Sequence, residues 1–364
     1  MKNSRYRVYI RSVRGCHSAI VLLSGLAFLL LGCPSEPGDN DLDNSSPPQL
    51  VFRFATEVKP DNKVWEATRL IRRELEKASL EHNIKAGEIQ VEFYDQGMIG
   101  TDRQVLEACY FGVVEMVLCT SSVATTIDPA FSLLDMPYLF RDEIHHKAVL
   151  DGPIGTELLD GLRQQRFKGL AFYSCGFRNM FYKRDPALPP IQGPNDLHGM
   201  KIRVMESPVM VASINALGAS ATPMPSSELF QALKTGVVDG AENNPRVFMA
   251  DKYYEAGCNY FTWTEHFANQ HVLIVNAAWF DGLEGRYKQR LCQVVRDIIP
   301  EYDQLWAQAV QEAVDQMQAY GVTVTYLDDK ERFIRKVGDI HARFLQKNPS
   351  VPMDLYDRIK HTGE

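Results

Sequence analysis

The chain of 364 residues is 45% hydrophobic and 23% charged, which is typical of soluble globular protein and sufficient for two domains of about 150 residues each. Its formal net charge is −7 and no basic patch is visible, so a nucleic-acid partner is not expected. The cysteines after residue 33 are widely spaced without a C-x-x-C pair, which predicts buried thiols rather than disulfides, zinc ligands or a redox centre.

Residues 1–32 have the pattern of a secretory signal peptide. Basic residues precede an apolar run from Ala19 to Leu31, which is too short for a comfortable membrane span. Removal of this segment takes away five basic and no acidic residues and changes the formal net charge from −7 to −12. An anionic ligand would therefore need a local positive charge.

The apolar run ends in Leu30-Leu31-Gly32-Cys33, which resembles the lipobox of bacterial lipoproteins, where the cysteine is acylated and becomes the first residue. The alternative is a secreted protein in which Cys33 is incidental. Residues 33–49 are rich in proline, serine, asparagine and aspartate, so they are expected to form a flexible tether.

The next part of the chain alternates strand and helix, which predicts parallel strands covered by helices. Apolar alternation, helical spacing and glycine stops define each element. The predicted elements are strand Leu50–Thr56, a helix within Asp61–Ser79, strand Ile89–Tyr94, helix Thr101–Phe111 with Thr101 as N-cap, and strand Val113–Cys119.

An apolar connector, Thr125–Phe140, leads to a helix with His145 and His146, which lack a third ligand at metal spacing and are expected to be surface or capping residues. Strand and helix alternation then returns. The predicted elements are strand Gly169–Ser174, a crossing segment Gly176–Tyr182, strand Lys201–Val204, helix Ser207–Leu217, strand Ala219–Pro223, helix Ser226–Thr235 and a strand from Val237.

Two segments repeat the same order of helix, glycine, Val-Val and acid. Glu107–Met116 and Gln231–Gly240 occupy the same point in two strand-helix series, which predicts two similarly built lobes with a ligand cleft between them. A returning strand Asn269–Val275, a long helix Gly282–Tyr320 broken near Pro300 and a closing helix Lys330–Gln346 complete the chain. We predict lobe I as residues 50–174 plus 268–306 and lobe II as 175–267 plus 307–364.

The motifs Lys-Ile-Arg-Val at 201–204, Met-Pro at 224–225 and Gly-Val-Val-Asp-Gly-x-Glu-Asn at 236–243 occur in the order typical of one family. They resemble the DctP-type solute-binding proteins of tripartite ATP-independent periplasmic (TRAP) transporters. The resemblance implies an α/β, two-lobed periplasmic binding protein fold with a long helix spanning both lobes. It also implies capture of a small organic acid and delivery to a TRAP permease in the membrane.

No enzyme signature is visible: there is no G-x-S-x-G, H-E-x-x-H, G-x-x-x-x-G-K-[ST] or strand-linked G-x-G-x-x-G. We therefore expect a binding protein that is not an enzyme and uses no cofactor or metal. A cleft enzyme acting on acidic sugars is one alternative, and an ABC-type or sensor-linked solute receptor is another.

Arg203 ends a strand that is otherwise apolar, and a fixed guanidinium there can bind a carboxylate with two parallel hydrogen bonds. The residues alone leave open an ion pair with Glu206 instead. The resemblance implies that Arg203 binds the substrate carboxylate and that Arg178 and Asn243 contact the same acid group or neighbouring hydroxyls.

The first lobe offers Glu57, Ser121 and Ser122, because they follow predicted strands at the edge where ligands bind in open α/β sheets. Helix capping is an alternative for the serines. Ser226 stands where the family commonly has an aromatic residue, which Phe177, Phe181 or Phe230 could replace. The resemblance favours a sugar acid such as a uronate, and a C4-dicarboxylate or a 2-oxo acid remains open.

Overall fold

Nine β-strands form one mixed sheet in the computed structural model, which describes residues 47–60 and 64–363. The strands are β1 (Leu50–Ala55), β2 (Ile89–Tyr94), β3 (Met116–Thr120), β4 (Phe167–Tyr182), β5 (Lys201–Val204), β6 (Ser220–Pro223), β7 (Gly240–Asn243), β8 (Tyr260–Asn276) and β9 (Thr323–Tyr326).

Helices cover the sheet. They are α1 (Trp65–Leu75), α2 (Asp102–Tyr110), α3 (Ser121–Ala124), α4 (Glu143–Asp151), α5 (Pro153–Gly161), α6 (Pro208–Ala216), α7 (Ser226–Thr235), α8 (Pro245–Ala250), α9 (Ala277–Gly282), α10 (Gly285–Asp297), α11 (Ile299–Ala319), α12 (Glu331–Val337), α13 (Ile340–Lys347) and α14 (Met353–His361). Short 3-10 helices occupy Pro129–Asp135, Leu162–Gln165 and Pro194–Leu197.

Eight strands follow the order β2-β1-β3-β8-β4-β7-β5-β6, which is symmetrical about its centre, and β9 pairs in parallel with β8 off this path. The β1 strand pairs in parallel with β2 and β3, and β5 pairs in parallel with β6 and β7. The two parallel groups flank the antiparallel pair β4 and β8. The two-lobed α/β fold expected from the repeated pattern is confirmed.

The long strands β4 and β8 connect the two groups. The last part of β8 lies between β3 and the first part of β4 and pairs with both, whereas Asn179–Tyr182 of β4 pairs with β7. Register shifts interrupt the pairing of β4 with β8, and one of them lies between Ser174 and Phe177. The sequence predicted Gly169–Ser174 and Gly176–Tyr182 as a strand and a separate crossing segment. They form one strand, which bends at these irregularities.

The repeated helix-glycine pattern has the same local structure in both halves. Gly112 and Gly236 follow the last turns of α2 and α7 with φ of 72° and 76°, a left-handed conformation that favours glycine at a helix end. At the other end of α2, Thr101 and Gln104 form a capping box, as expected from the predicted N-cap. Each of these helices then leads into the next parallel strand.

Helix α11 has 21 residues and is about 30 Å long, so it reaches both halves. Its Tyr302 and Trp306 pack into the hydrophobic core beside β1 and α1, whereas Ala313 and Met317 pack into the core beside α7 and α8. The break predicted near Pro300 in the long helix from Gly282 is present, because α10 ends at Asp297 and α11 begins at Ile299.

The C-terminal region contains more helix than the pattern indicated. The predicted closing helix is split into α12 and α13, and α14 follows them. The backbone oxygen of Ile359 in α14 lies 2.8 Å from the ring of His145 in α4. The expectation of surface or capping histidines is therefore wrong: His145 and His146 are buried, and each ring is hydrogen-bonded within the fold.

The expectation for the thiols is confirmed for most of them. Cys109, Cys119, Cys175 and Cys258 are buried and unpaired, and Cys292 is unpaired and partly exposed. Within the described ranges, no helix has the length and apolar composition required to span a membrane. The lipid-anchor candidate Cys33, the signal segment and nearly all of the tether lie outside the described residues.

Candidate functional site

A cavity of about 320 Å³ opens where the carboxyl ends of the parallel strands from both halves meet. Its wall combines segments that follow β1, β3, β5 and β7 with side chains from β4 and β8. The polar residues that line it include Glu57, Asp102, Thr120, Ser122, Arg178, Arg203, Glu206, Ser226, Asn243, Tyr253, Asn269 and His271. Ligands bind at this edge in open α/β sheets, so the cavity is the candidate site.

Arg203 lies in the wall of this cavity and is only 2% exposed. Its Nε and Nη2 donate hydrogen bonds to the backbone oxygen of Met224 at 2.9 and 2.6 Å, which fixes the guanidinium plane. Three of its five N–H groups have no partner among the described residues. Burial lowers the pKa of Arg203, yet a guanidinium stays charged at neutral pH.

The alternative partner of Arg203 is not engaged. Glu206 is exposed and lines the cavity, but no carboxylate in the described part of the chain forms an ion pair with Arg203. The carboxylates of Glu242 and Glu57 raise the pKa of Arg203 without forming an ion pair with it, whereas burial, the largest influence, lowers this pKa. The arrangement leaves a desolvated cation without an acidic partner at the cavity, which favours binding of an anion.

Arg178 also lines the cavity, but most of its donors are occupied. Its guanidinium forms a two-point ion pair with Glu242, in which Nη2 lies 2.9 Å from Oε1 and Nε binds Oε2. Nη2 also donates to the Glu242 backbone oxygen at 2.8 Å, and Nη1 donates to the Asn269 side-chain oxygen at 3.2 Å. One Nη1 hydrogen remains for a ligand.

Asn243 ends β7 directly after Glu242 and is buried at the wall of the cavity. Its side-chain oxygen accepts a hydrogen bond from the Asn244 backbone N–H at 2.9 Å. Its Nδ2 has no partner within the residues described, so it is available as a donor. The carboxyl end of β7 thus supplies both the acid that holds Arg178 and an amide donor.

Of the three candidates from the first lobe, Glu57 and Ser122 line the cavity and Ser121 does not. Glu57 lines the cavity, and its carboxylate accepts backbone N–H groups of Asp102 at 2.9 Å and Ser227 at 3.2 Å, so it joins the N-terminal turns of α2 and α7. Ser122 lines the cavity and donates to Asp135 at 2.7 Å. Ser121 does not line the cavity, and its hydroxyl accepts a hydrogen bond from the Gln270 side-chain amide.

Sequence reasoning missed several polar residues of the wall. Asn269 and His271 belong to β8, and their polar character at the start of the predicted strand Asn269–Val275 was the available signal. Burial, together with the nearby Arg178 cation, lowers the pKa of His271 to about 3, so this imidazole is neutral at pH 7. Among the aromatic candidates, Phe230 lines the cavity, whereas Phe177 and Phe181 pack in the cores.

Asp102 is the missed residue with the most unusual environment. It is 8% exposed and lines the cavity as the first residue of α2. Its Oδ2 accepts the backbone N–H and the hydroxyl of Thr120, both at 2.9 Å, whereas Oδ1 is buried without a hydrogen-bond partner. Burial, and then the charge of Glu57, raise the pKa of Asp102 to about 7.

The described residues contain no group of three or more histidine, cysteine, aspartate or glutamate side chains placed to hold a metal ion. The charged and polar side chains of the cavity wall offer hydrogen bonding and charge pairing. Arg203 can accept a carboxylate, and Asn243, Asp102 and Glu57 can bind hydroxyl groups around it.

Comparison with known proteins agrees with this geometry. Residues 54–348 match the family model of bacterial extracellular solute-binding protein family 7, DctP. The chain is 31% identical over 276 residues to the C4-dicarboxylate-binding periplasmic protein DctP of Rhodobacter capsulatus. The matched region covers 75% of this chain and 79% of that protein.

Two solved structures have the same fold. A TRAP periplasmic solute-binding protein of Xanthobacter autotrophicus with bound β-D-galacturonate has a TM-score of 0.77 and 30% identity, covering 85% of this chain and 99% of that one. A counterpart from Chromohalobacter salexigens with bound D-glucuronate has a TM-score of 0.79 and 27% identity, covering 85% and 99%. The chain therefore belongs to the DctP family, the solute-binding proteins of TRAP transporters.

Proposed function

We propose that this protein captures a sugar acid, with a uronate as the favoured ligand, and delivers it to the membrane subunits of a TRAP transporter. Arg203 carries this proposal, because it is a buried cation fixed by Met224 that has no acidic partner among the described residues. Its free N–H groups can bind one carboxylate at two points. The uronates bound by the two structural relatives support the ligand class.

The other groups of the cavity orient the ligand in this proposal. Arg178 supplies its one remaining N–H, and Asn243 supplies its amide Nδ2. Glu57 and Ser122 contact hydroxyl groups from the first lobe. The ordered hydrogen bond of Ser121 to Gln270 supports a structural role for that hydroxyl instead.

We further propose that the lobes, 50–174 with 268–306 and 175–267 with 307–364, move about β4 and β8 as the ligand binds. The irregular pairing of these two strands between Ser174 and Phe177 supports a hinge there. Helix α14 would be a segment of the second lobe that packs against the first, through contacts such as Arg358 with Glu157 at 2.7 Å. The ligand would be released to the permease without chemical conversion.

The ligand proposal is tested by a thermal-shift and calorimetric screen of D-glucuronate, D-galacturonate, succinate and 2-oxo acids. A ligand at about 100 times its Kd adds about 2.7 kcal/mol to the free energy of unfolding. We expect a uronate to give the largest shift and Arg203→Ala to abolish it. The control is Arg335→Ala, which changes an arginine on α12 that is 66% exposed. An undiminished shift in Arg203→Ala would refute the assignment.

We also propose that residues 1–32 are removed and that the protein is anchored to the membrane by acylated Cys33. The basic residues, apolar run and lipobox-like Leu-Leu-Gly-Cys support this proposal. In cells fed a labelled fatty acid, the wild type should incorporate the label and remain with membranes. Cys33→Ala should be unlabelled and soluble in the periplasm, and a labelled Cys33→Ala protein would contradict the anchor.

A further inference from the structure

Most of the cationic side chains in the cavity wall are already neutralised by ion pairs. Each cation in its wall except Arg203 forms an ion pair with a nearby carboxylate, within the ranges that the structure describes. These pairs are Lys59–Asp251 at 2.9 Å, Arg103–Glu107 at 3.3 Å and Arg178–Glu242. A ligand therefore meets one cation whose charge is not already balanced by direct contact.

Apart from Asp251, which pairs with Lys59, the carboxyl groups of the wall show the opposite pattern. Glu57, Asp102 and Glu206 line the cavity, and none of them is ion-paired with a cation of the described residues. Glu57 and Asp102 are adjacent, because the Glu57 carboxylate accepts the Asp102 backbone N–H at 2.9 Å. The part of the cavity on the α2 side thus holds two neighbouring carboxyl groups, whereas the β5 side holds the free arginine together with the exposed Glu206.

Asp102 is the group best suited to act on a ligand there. Both hydrogen bonds that it accepts from Thr120 fall on Oδ2, which leaves the buried Oδ1 without a partner. A buried polar atom without a hydrogen bond is costly, so a ligand that satisfies Oδ1 gains free energy on binding. A hydroxyl group suits it, because a hydroxyl can both donate and accept a hydrogen bond.

A second carboxylate on the ligand would be unfavourable at the same place. Carboxylates only accept hydrogen bonds, and they would face the buried Asp102 and the partly buried Glu57. The rise in the pKa of Asp102 to about 7, caused by burial and then by Glu57, indicates that negative charge is already disfavoured there.

We propose that Asp102, supported by Glu57, is a specificity-determining residue that admits acids with one carboxylate and a hydroxylated opposite end and rejects dicarboxylates. This inference rests on the proposed function, in which Arg203 binds the ligand's single carboxylate. Oδ1 of Asp102 binds a hydroxyl at the far end of the ligand from Arg203. The site is therefore selective for sugar monoacids over C4-dicarboxylates and over sugar diacids.

The experiment compares D-glucuronate with D-glucarate, which has the same carbon chain with a second carboxylate at the other end. Kd values are measured by calorimetry at pH 9, where Asp102 with its pKa of about 7 is ionised, for the wild type, Asp102→Asn and the control Asp339→Asn, whose side chain is 85% exposed. We expect the wild type to prefer glucuronate by about 100-fold, since like charges in contact strongly disfavour binding. Asp102→Asn should reduce this preference at least about tenfold, because an amide donates to a carboxylate.

Three results would overturn the inference. They are equal affinity of the wild type for both acids, an unchanged preference in Asp102→Asn, and the same change in the Asp339→Asn control. If the wild type bound neither these acids nor any other sugar acid, the proposed function would fall together with the inference. If Asp102→Asn does not fold, Glu57→Gln provides the same comparison with the neighbouring carboxylate.

Discussion

Arg178 and Glu242 form an ion pair that is almost completely buried, with side chains 2% and 0% exposed. The pair joins β4 to β7, because Met180 and Glu242 are register partners and Arg178 is two residues away on β4. The Asn269 side chain holds Nη1 of the same guanidinium from β8. Arg178 of β4 is thus held by side chains of β7 and β8, which fixes its position in the cavity wall.

Breaking this pair should strongly destabilise the protein. Glu242→Gln leaves the buried Arg178 without its counter-charge, and such losses cost about 3–5 kcal/mol. Urea unfolding of the ligand-free protein measures the change. The double variant Arg178→Met/Glu242→Leu is the control, and we expect it to recover part of the loss. A change below about 1 kcal/mol in Glu242→Gln would contradict the structural role of the pair.

Arg203→Lys should weaken uronate binding although the positive charge is kept. A lysine has one ammonium group and cannot bind both Met224 and two carboxylate oxygens with planar geometry. We expect the Kd for D-glucuronate to rise about 10- to 100-fold, which corresponds to about 1.4–2.8 kcal/mol. Calorimetry checks it against Arg335→Lys on the surface. Wild-type affinity in Arg203→Lys would show that charge alone binds the ligand.

Local sequence patterns predicted the short strands and the glycine-terminated helices well. Lys201–Val204 and Ser226–Thr235 have the observed bounds, because alternation, a Met-Pro entry and a helix-ending glycine determine them locally. Strand β4 was divided between Ser174 and Gly176 in the prediction, and the register shift of β4 against β8 lies at the same place. The polar Arg178 and Asn179 that follow are buried because they bind groups on other strands.

The sequence singled out Arg203 of the cavity wall, but it did not indicate the pairing of Arg178 with Glu242 or the environment of Asp102. Arg203 stood out as a charge at the end of an apolar strand. The pairing of Arg178 with Glu242 joins residues 64 apart in sequence and depends on the register of β4 and β7. Asp102 resembles an ordinary acidic residue in a first helical turn. Asp102 differs from such a residue only in being buried beside Glu57, and burial follows from tertiary packing that the local sequence does not show.

Asp102→Asn should be stabilised relative to the wild type as the pH rises. The pKa of Asp102 is raised to about 7, so between pH 4 and 7 the folded wild type holds a proton that the unfolded chain has lost. This contribution to stability is full at low pH and disappears as the pH rises through 7. The relative gain of the variant should approach at most about 1.4 kcal/mol per pH unit, as measured by urea unfolding. A pH-independent difference would contradict the shift.

Buried histidines should make the protein less stable in acid. Burial lowers the pKa values of His146, His266 and His271 to about 4, 3 and 3, so the folded protein keeps them neutral where the unfolded chain binds protons. Stability is therefore lost as the pH falls from about 6.5 to 4. Asp102 and Asp135, with pKa values raised to about 7 and 6, oppose this trend in the same range.

The test is urea unfolding between pH 4 and 7 for the wild type and His146→Gln. Removing one imidazole should flatten the dependence by up to about 1.4 kcal/mol per pH unit. Asp102→Asn should make it steeper, because one opposing carboxyl is lost. The exposed His361→Gln serves as the control, and it should follow the wild type. A parallel curve for His146→Gln would refute the neutral buried imidazole.

The ion pair of Lys59 with Asp251 should affect ligand retention more than folding. Lys59 follows β1 and Asp251 follows α8, so the 2.9 Å contact joins segments on opposite sides of the cavity. Lys59 is 57% exposed, and such pairs contribute less than about 1 kcal/mol.

We expect Lys59→Met to leave the urea midpoint nearly unchanged and to raise the dissociation rate of D-glucuronate up to about fivefold. A double-mutant cycle with Asp251→Asn, measured by stopped flow at low and high salt, isolates the pair. Coupling that is zero at low salt would show that this contact does not hold the cavity closed.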